Sequence, residues 1–136
     1  MMSETLHILC VDDEEHILKT LERFCHNEDI PMLAASSAAE ALKLLENKQV
    51  NIIISDYQMP ETDGLVFLNE VSCRWPEIIR IILSGFIETT AVTQALQEGK
   101  VFGFLPKPWQ RSELKSMIQA AAAQYQTNIR TKGTPS

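Results

Sequence analysis

The chain has 136 residues, 45% hydrophobic and 22% charged, which is the length and composition of one ordinary globular domain. Its net charge of −6 and pI near 5.0 argue against nucleic acid as a direct partner of this segment. The three cysteines, Cys10, Cys25 and Cys73, show no CxxC spacing, the N-terminus lacks a signal-peptide pattern, and no apolar run reaches membrane-spanning length. A cytoplasmic protein without disulfides, zinc or a membrane contact is therefore expected.

In chain order, His7 to Val11 is a short apolar run with a sharp polar stop and reads as a first strand. Glu14 to Asn27 places Ile17, Leu18, Leu21, Phe24 and Cys25 on one face of a helix, with acids in its first turn where the helix dipole favours them. Met32 to Ala35 is a brief second strand. Ser37 caps the next helix with Glu40 as its capping-box partner, and that helix ends near Asn47.

Val50 to Pro60, VNIIISDYQMP, is the organising stretch. Its β-branched run suits a strand buried on both faces, and it stops at Ser55 and Asp56. Pro60 to Gly64 is a turn-rich loop, and Leu65 to Trp75 a helix ended by Pro76. Ile78 to Leu83 is a fourth strand stopping at Ser84-Gly85. Glu88 to Glu98 is a helix with Gly99 as its stop. Val101 to Leu105 is a fifth strand running into Pro106-Lys107-Pro108, and a last helix runs from about Gln110 to Gln126. Thr127 to Ser136 reads as a frayed end or the start of a linker to an absent output domain.

Five βα units in succession predict an α/β fold, a parallel sheet with helices on both faces. In such a sheet Asp12-Asp13, Asp56, Ser84 and Lys107 all fall at the carboxyl edge, where open α/β folds hold ligands. Three clustered carboxylates repel one another unless a cation neutralises them, and hard oxygen ligands suit Mg²⁺. Lys107 offsets further charge as a compact ammonium. A carboxylate beside such a cation can attack a phosphoryl group, with the metal, Lys107 and Ser84 contacting the transferred oxygens. On chemistry alone Asp56 is either the nucleophile or a metal ligand.

The ordered set VDDE at 11–14, SDYQMPETDG at 55–64, LSG at 83–85 and FLPKP at 104–108 resembles a bacterial two-component response regulator receiver domain across residues 5–126. The resemblance implies a flavodoxin-like, three-layer, doubly wound fold with strand order 2-1-3-4-5. It implies that Asp56 accepts phosphate from a sensor histidine kinase or phosphotransfer protein. Asp12, Asp13, Asp56 and the backbone carbonyl of Gln58 would hold Mg²⁺, Ser84 and Lys107 would contact the phosphoryl group, and the Lys107-Pro108 bond would be cis. Ser84 and Phe104 would form the switch that changes the surface of the fourth helix, fifth strand and fifth helix, where a homodimer or an effector forms. Gln58 and Phe86 stand where the family tunes phosphoryl lifetime. EGKVFGFLPKPW at 98–109, with Trp109 directly after the Lys-Pro pair, resembles a subgroup joined to HD-GYP phosphodiesterase or transcriptional-activator modules.

Two other readings are set against this one. A haloacid-dehalogenase-like phosphohydrolase needs a second aspartate two residues after the nucleophile, where this chain has Gln58. A pseudo-receiver that only mediates contacts would not need the intact acidic set with Lys107. His7, His16 and His26 are scattered and suggest no site.

Overall fold

The computed structural model describes residues 6–85 and 89–133. Among them five strands alternate with five helices: β1 Ile8–Val11, α1 Glu15–Asn27, β2 Met32–Ala35, α2 Ala38–Asn47, β3 Ile52–Asp56, α3 Gly64–Arg74, β4 Ile79–Ser84, α4 Thr89–Gln97, β5 Gly103–Pro106 and α5 Arg111–Gly133. The strands form one parallel sheet in the order β2-β1-β3-β4-β5, the flavodoxin-like arrangement expected from the resemblance.

Side-chain alternation along the strands builds two cores. Ile8, Cys10, Ile52, Ile54, Ile81 and Leu83 pack against α1 and α5, through Leu21, Phe24, Leu114 and Ile118. Leu9, Val11, Ile53 and Ile82 face the other way, onto α2, α3 and α4, through Ala41, Leu45, Phe67, Leu68, Val92 and Ala95. Both faces of the central strands are covered, which is why β1, β3 and β4 read as apolar runs.

The helix ends follow their local chemistry. Ser37 Oγ accepts the Glu40 N–H at 3.1 Å, as the capping box predicts, but Glu40 Oε1 takes the Ser36 N–H at 2.7 Å and not that of Ser37. Asp63 caps α3 by accepting the Val66 N–H at 2.8 Å. Gly99, at φ +75, ends α4, with the Lys100 N–H donating to the Ala95 carbonyl at 2.9 Å. Below it, the Arg80 guanidinium donates to the carbonyls of Lys100 and Ile78, both at 2.9 Å, and Gly99 at 3.4 Å, so the sheet grips the end of α4. The expected helix start at Glu88 and the lifetime position Phe86 lie outside the described residues.

Most element ends lie one or two residues from expectation, and two of the shifts have a visible physical reason. β5 begins at Gly103, because Val101 and Phe102 still belong to the lead-in, where the Phe102 N–H donates to the Arg80 carbonyl at 2.7 Å. The helix expected to stop near Gln126 continues to Gly133. Ile129 follows Tyr125 by four residues and packs on the same core, and Asn128 reaches the Glu77 carbonyl, which extends the buried stripe by another turn.

Candidate functional site

Because all five strands run parallel, their carboxyl ends meet on one edge. Asp12 follows β1, Asp56 ends β3, Ser84 ends β4 and Lys107 follows β5. The ladder pairs Asp56 with Leu83 and Ser84 with Pro106, so the side chains after neighbouring strands arrive side by side. They open into a crevice lined by Asp13, Glu14, Asp56, Gln58, Ser84 and Lys107, with Tyr57, Met59 and Pro60 along one wall.

Lys107 is the centre of this edge. Its backbone N–H donates to the Ser84 carbonyl at 2.9 Å, and the Lys107–Pro108 peptide is cis. Its Nζ lies 2.8 Å from Asp12 Oδ2, 3.0 Å from Asp56 Oδ1 and 3.3 Å from Glu14 Oε1. Burial alone pulls the ammonium down, but the bonds and charges of Asp12 and Asp56 outweigh it and hold Lys107 above the ordinary lysine value. Burial likewise pushes the Asp56 carboxyl up. Lys107 and the Gln58 backbone N–H counter that, and the neighbouring Asp12 charge adds to it.

Asp12 is wholly buried. Its Oδ1 accepts the Glu14 N–H at 2.9 Å, ordering the start of α1. Its Oδ2 lies against the Lys107 ammonium. Carboxylate oxygens of Asp12, Asp13 and Asp56 lie within 4.8 Å of one another. Three clustered carboxylates, two of them buried with one shared ammonium and the third, Asp13, exposed to the crevice, fit a hard divalent cation such as Mg²⁺. With all groups ionised, four carboxylates face one ammonium, and the crevice carries strong negative charge.

Ser84 is buried at the crevice wall. Phe104 is set apart from it: it pairs with Ile82 on the outer strand of the sheet and is 42% exposed, with Phe102 close by along the chain at 36%. A strand aromatic serving only as core would be covered. Trp75 and Trp109 are partly buried packing residues, and Arg74 stacks over Trp75 with 4.4 Å to the ring centroid.

Two residues of the site were not singled out from the sequence. Glu14 reaches Lys107 from the loop after β1; the acidic run was the signal, but it also reads as a plain helix start. Gly64 packs where a Cβ would overlap the Asp56 carbonyl oxygen and stand 2.8 Å from Ile82 Cδ1. Its place in the turn-rich PETDG loop was visible; its role as the surface on which Asp56 rests was not.

The sequence pattern of the response regulator receiver domain matches residues 8–119, and the chain belongs to that family. It is 34% identical to the hydrogenase transcriptional regulatory protein HoxA of Bradyrhizobium diazoefficiens over 92% of this chain, and spans only 26% of that protein. Among solved structures it is similar to the signal receiver domain of an HD domain-containing protein from Pseudomonas fluorescens, with TM-score 0.89, 28% identity and 96% of each chain covered. It is also similar to the beryllofluoride-activated NtrC4 receiver domain dimer, with TM-score 0.82 and 27% identity over 88% of this chain and 98% of that one. Receiving a signal in a two-component system is what the family does.

Proposed function

We propose that this chain is charged at Asp56 by a sensor histidine kinase or a phosphotransfer protein. The observation that carries the reading is the sharing of one Lys107 ammonium by Asp12 and Asp56 beside the exposed Asp13. An Asp56 carboxylate oxygen attacks phosphorus and forms the acyl phosphate bond. The P–N bond to the donor imidazole breaks with its electron pair going to that nitrogen, and because the other ring nitrogen of the phosphohistidine carries a proton, the donor is left as a neutral histidine. Asp12, Asp13, Asp56 and the Gln58 carbonyl would hold Mg²⁺, which supplies charge neutralisation at the transferring oxygens. Lys107 leaves its carboxylates to contact the phosphoryl group, and the Ser84 hydroxyl donates to another of its oxygens.

Movement of Ser84 toward the phosphoryl group vacates space that Phe104 enters from its exposed position, and this changes the surface made by α4, β5 and α5. A homodimer forms there. The chain acts by its own phosphorylation and dephosphorylation, without turnover of external esters, and needs no direct contact with nucleic acid or membrane. Residues 5–126 are the receiver proper, and from Thr127 the helix leads on toward an output. Similarity to HoxA favours transcriptional control as that output.

Beryllofluoride with Mg²⁺ tests the switch. The expected result is a rise in sedimentation coefficient with a shift of the Phe104 ring resonances, both lost in Asp56→Asn. An unchanged oligomer and unchanged Phe104 resonances, with the mimic bound, would refute the switch.

A further inference from the structure

Three carboxylates touch Lys107, and they are not equivalent. Asp12 and Asp56 are buried and belong with Asp13 to the cluster suited to a cation. Glu14 stands outside that cluster. Its side chain is half exposed at the crevice mouth, yet its Oε1 lies 3.3 Å from Lys107 Nζ and donates nothing to the metal set. It therefore does two things that oppose charging. It competes for the ammonium that the phosphoryl oxygens need, and it puts a negative charge at the entrance through which an anionic donor must come.

We propose that Glu14 is an electrostatic gate on the phosphorylation crevice: by holding Lys107 and repelling small phosphate dianions it slows self-charging from free phosphodonors. This rests on the reading of Asp56 as phosphoacceptor. The gate discriminates by size and source. A free dianion such as acetyl phosphate meets the Glu14 charge unaided, whereas a phosphohistidine on a protein surface arrives with neighbouring groups able to pair with Glu14 and release Lys107. Rim charges of this kind act mainly on association, and they leave a signature in its salt dependence.

The test compares wild type, Glu14→Gln, Glu14→Asp and Glu15→Gln in saturating Mg²⁺, measuring the second-order rate of acetyl phosphate charging by intact mass over a range of ionic strength. Glu15 is a control for net charge, since it is exposed and paired with Lys19 at 3.8 Å, one residue further on. The expected result is a rate raised on the order of threefold in Glu14→Gln at low salt, with the wild-type rise in rate on adding salt flattened. Glu15→Gln and Glu14→Asp stay near wild type. A second readout needs no chemistry: in the Mg²⁺-free protein the resonances of ¹³C-methylated Lys107 move in Glu14→Gln and not in Glu15→Gln. Equal rates and equal salt slopes in wild type and Glu14→Gln, with Asp56 charged in both, would overturn the gate. Failure of both wild type and Glu14→Gln to charge at Asp56, with no binding of beryllofluoride, would instead overturn the underlying reading.

Discussion

Gly64→Ala puts the packing around Asp56 to a direct trial. The added Cβ overlaps the Asp56 carbonyl oxygen, stands 3.0 Å from the carbonyl carbon and meets Ile82 Cδ1 at 2.8 Å. Carbon atoms in ordinary contact are about 3.5–4.0 Å apart, so the first turn of α3 and the end of β3 must separate by roughly 1 Å. Ile82 can rotate part of the way; the Asp56 backbone cannot, because β3 is laddered to β1 and β4 on both sides. Overpacking of this kind costs about 1–3 kcal/mol, against the roughly 1 kcal/mol that Gly→Ala ordinarily gains in a helix. A control lies at Gly103, where a Cβ would meet only the flexible end of Met117, at 2.8 Å from its sulfur and 3.0 Å from its methyl. Urea unfolding should therefore show Gly64→Ala destabilised by about 2 kcal/mol and Gly103→Ala by clearly less. Amide shifts in Gly64→Ala should move at Asp56 and Tyr57, with weaker beryllofluoride binding. A Gly64→Ala protein as stable as wild type, with those shifts unmoved, would refute the reasoning.

Other outcomes follow from the same contacts. Arg80→Met keeps the aliphatic stem but removes the donors to Ile78, Gly99 and Lys100; chemical denaturation should show a loss of about 2 kcal/mol, and hydrogen exchange should rise at the end of α4. Cys10 and Cys25 are buried and Cys73 exposed, so a thiol reagent at pH 8 should label Cys73 alone in the native protein and all three cysteines after unfolding. Burial pushes the Cys25 thiol from the ordinary 9.0 to about 11. A raised value means the folded state holds its proton longer than the unfolded chain, so this contribution is present below pH 9 and declines from 9 to 11. Denaturation midpoints should fall across that window and fall less in Cys25→Ala. Mg²⁺ at ten times its dissociation constant should add about 1.4 kcal/mol to stability. Asp13→Asn should lose most of that gain, and because Asp13 is exposed its metal-free stability should stay within about 0.5 kcal/mol of wild type.

The central strands β1, β3 and β4 were legible because they are buried on both faces and read as apolar runs with a polar stop, while the edge strands β2 and β5 are partly exposed and were placed by the alternation around them. The stops are the site, since a parallel sheet delivers every one to the same edge. That logic placed Asp12, Asp56, Ser84 and Lys107 together with no knowledge of side-chain geometry. The strand order came from the motifs, because alternation alone does not choose among right-handed topologies. What escaped the sequence depended on reach and fit. Whether Glu14 bends toward Lys107 is set by the turn after β1, and the same residues would serve a solvated helix start. The continuation of α5 hinges on Ile129 meeting the core occupied by Tyr125, within a polar stretch that otherwise reads as linker. Glu40 reaching Ser36 instead of Ser37 is a shift of one residue that no capping rule resolves. The exposure of Phe104 follows from its place on β5, the last strand of the sheet, and periodicity carries no record of that.

The central claim is that Asp56 is the phosphoacceptor and that the neighbouring acids and Lys107 serve it. Intact mass and peptide mapping after treatment with acetyl phosphate and Mg²⁺, with a parallel beryllofluoride titration, test it most directly. The account predicts one phosphoryl group per chain, mapped to Asp56, absent with a chelator and absent in Asp56→Asn. An adduct that persists in Asp56→Asn, or no adduct from acetyl phosphate together with no binding of beryllofluoride, would contradict it.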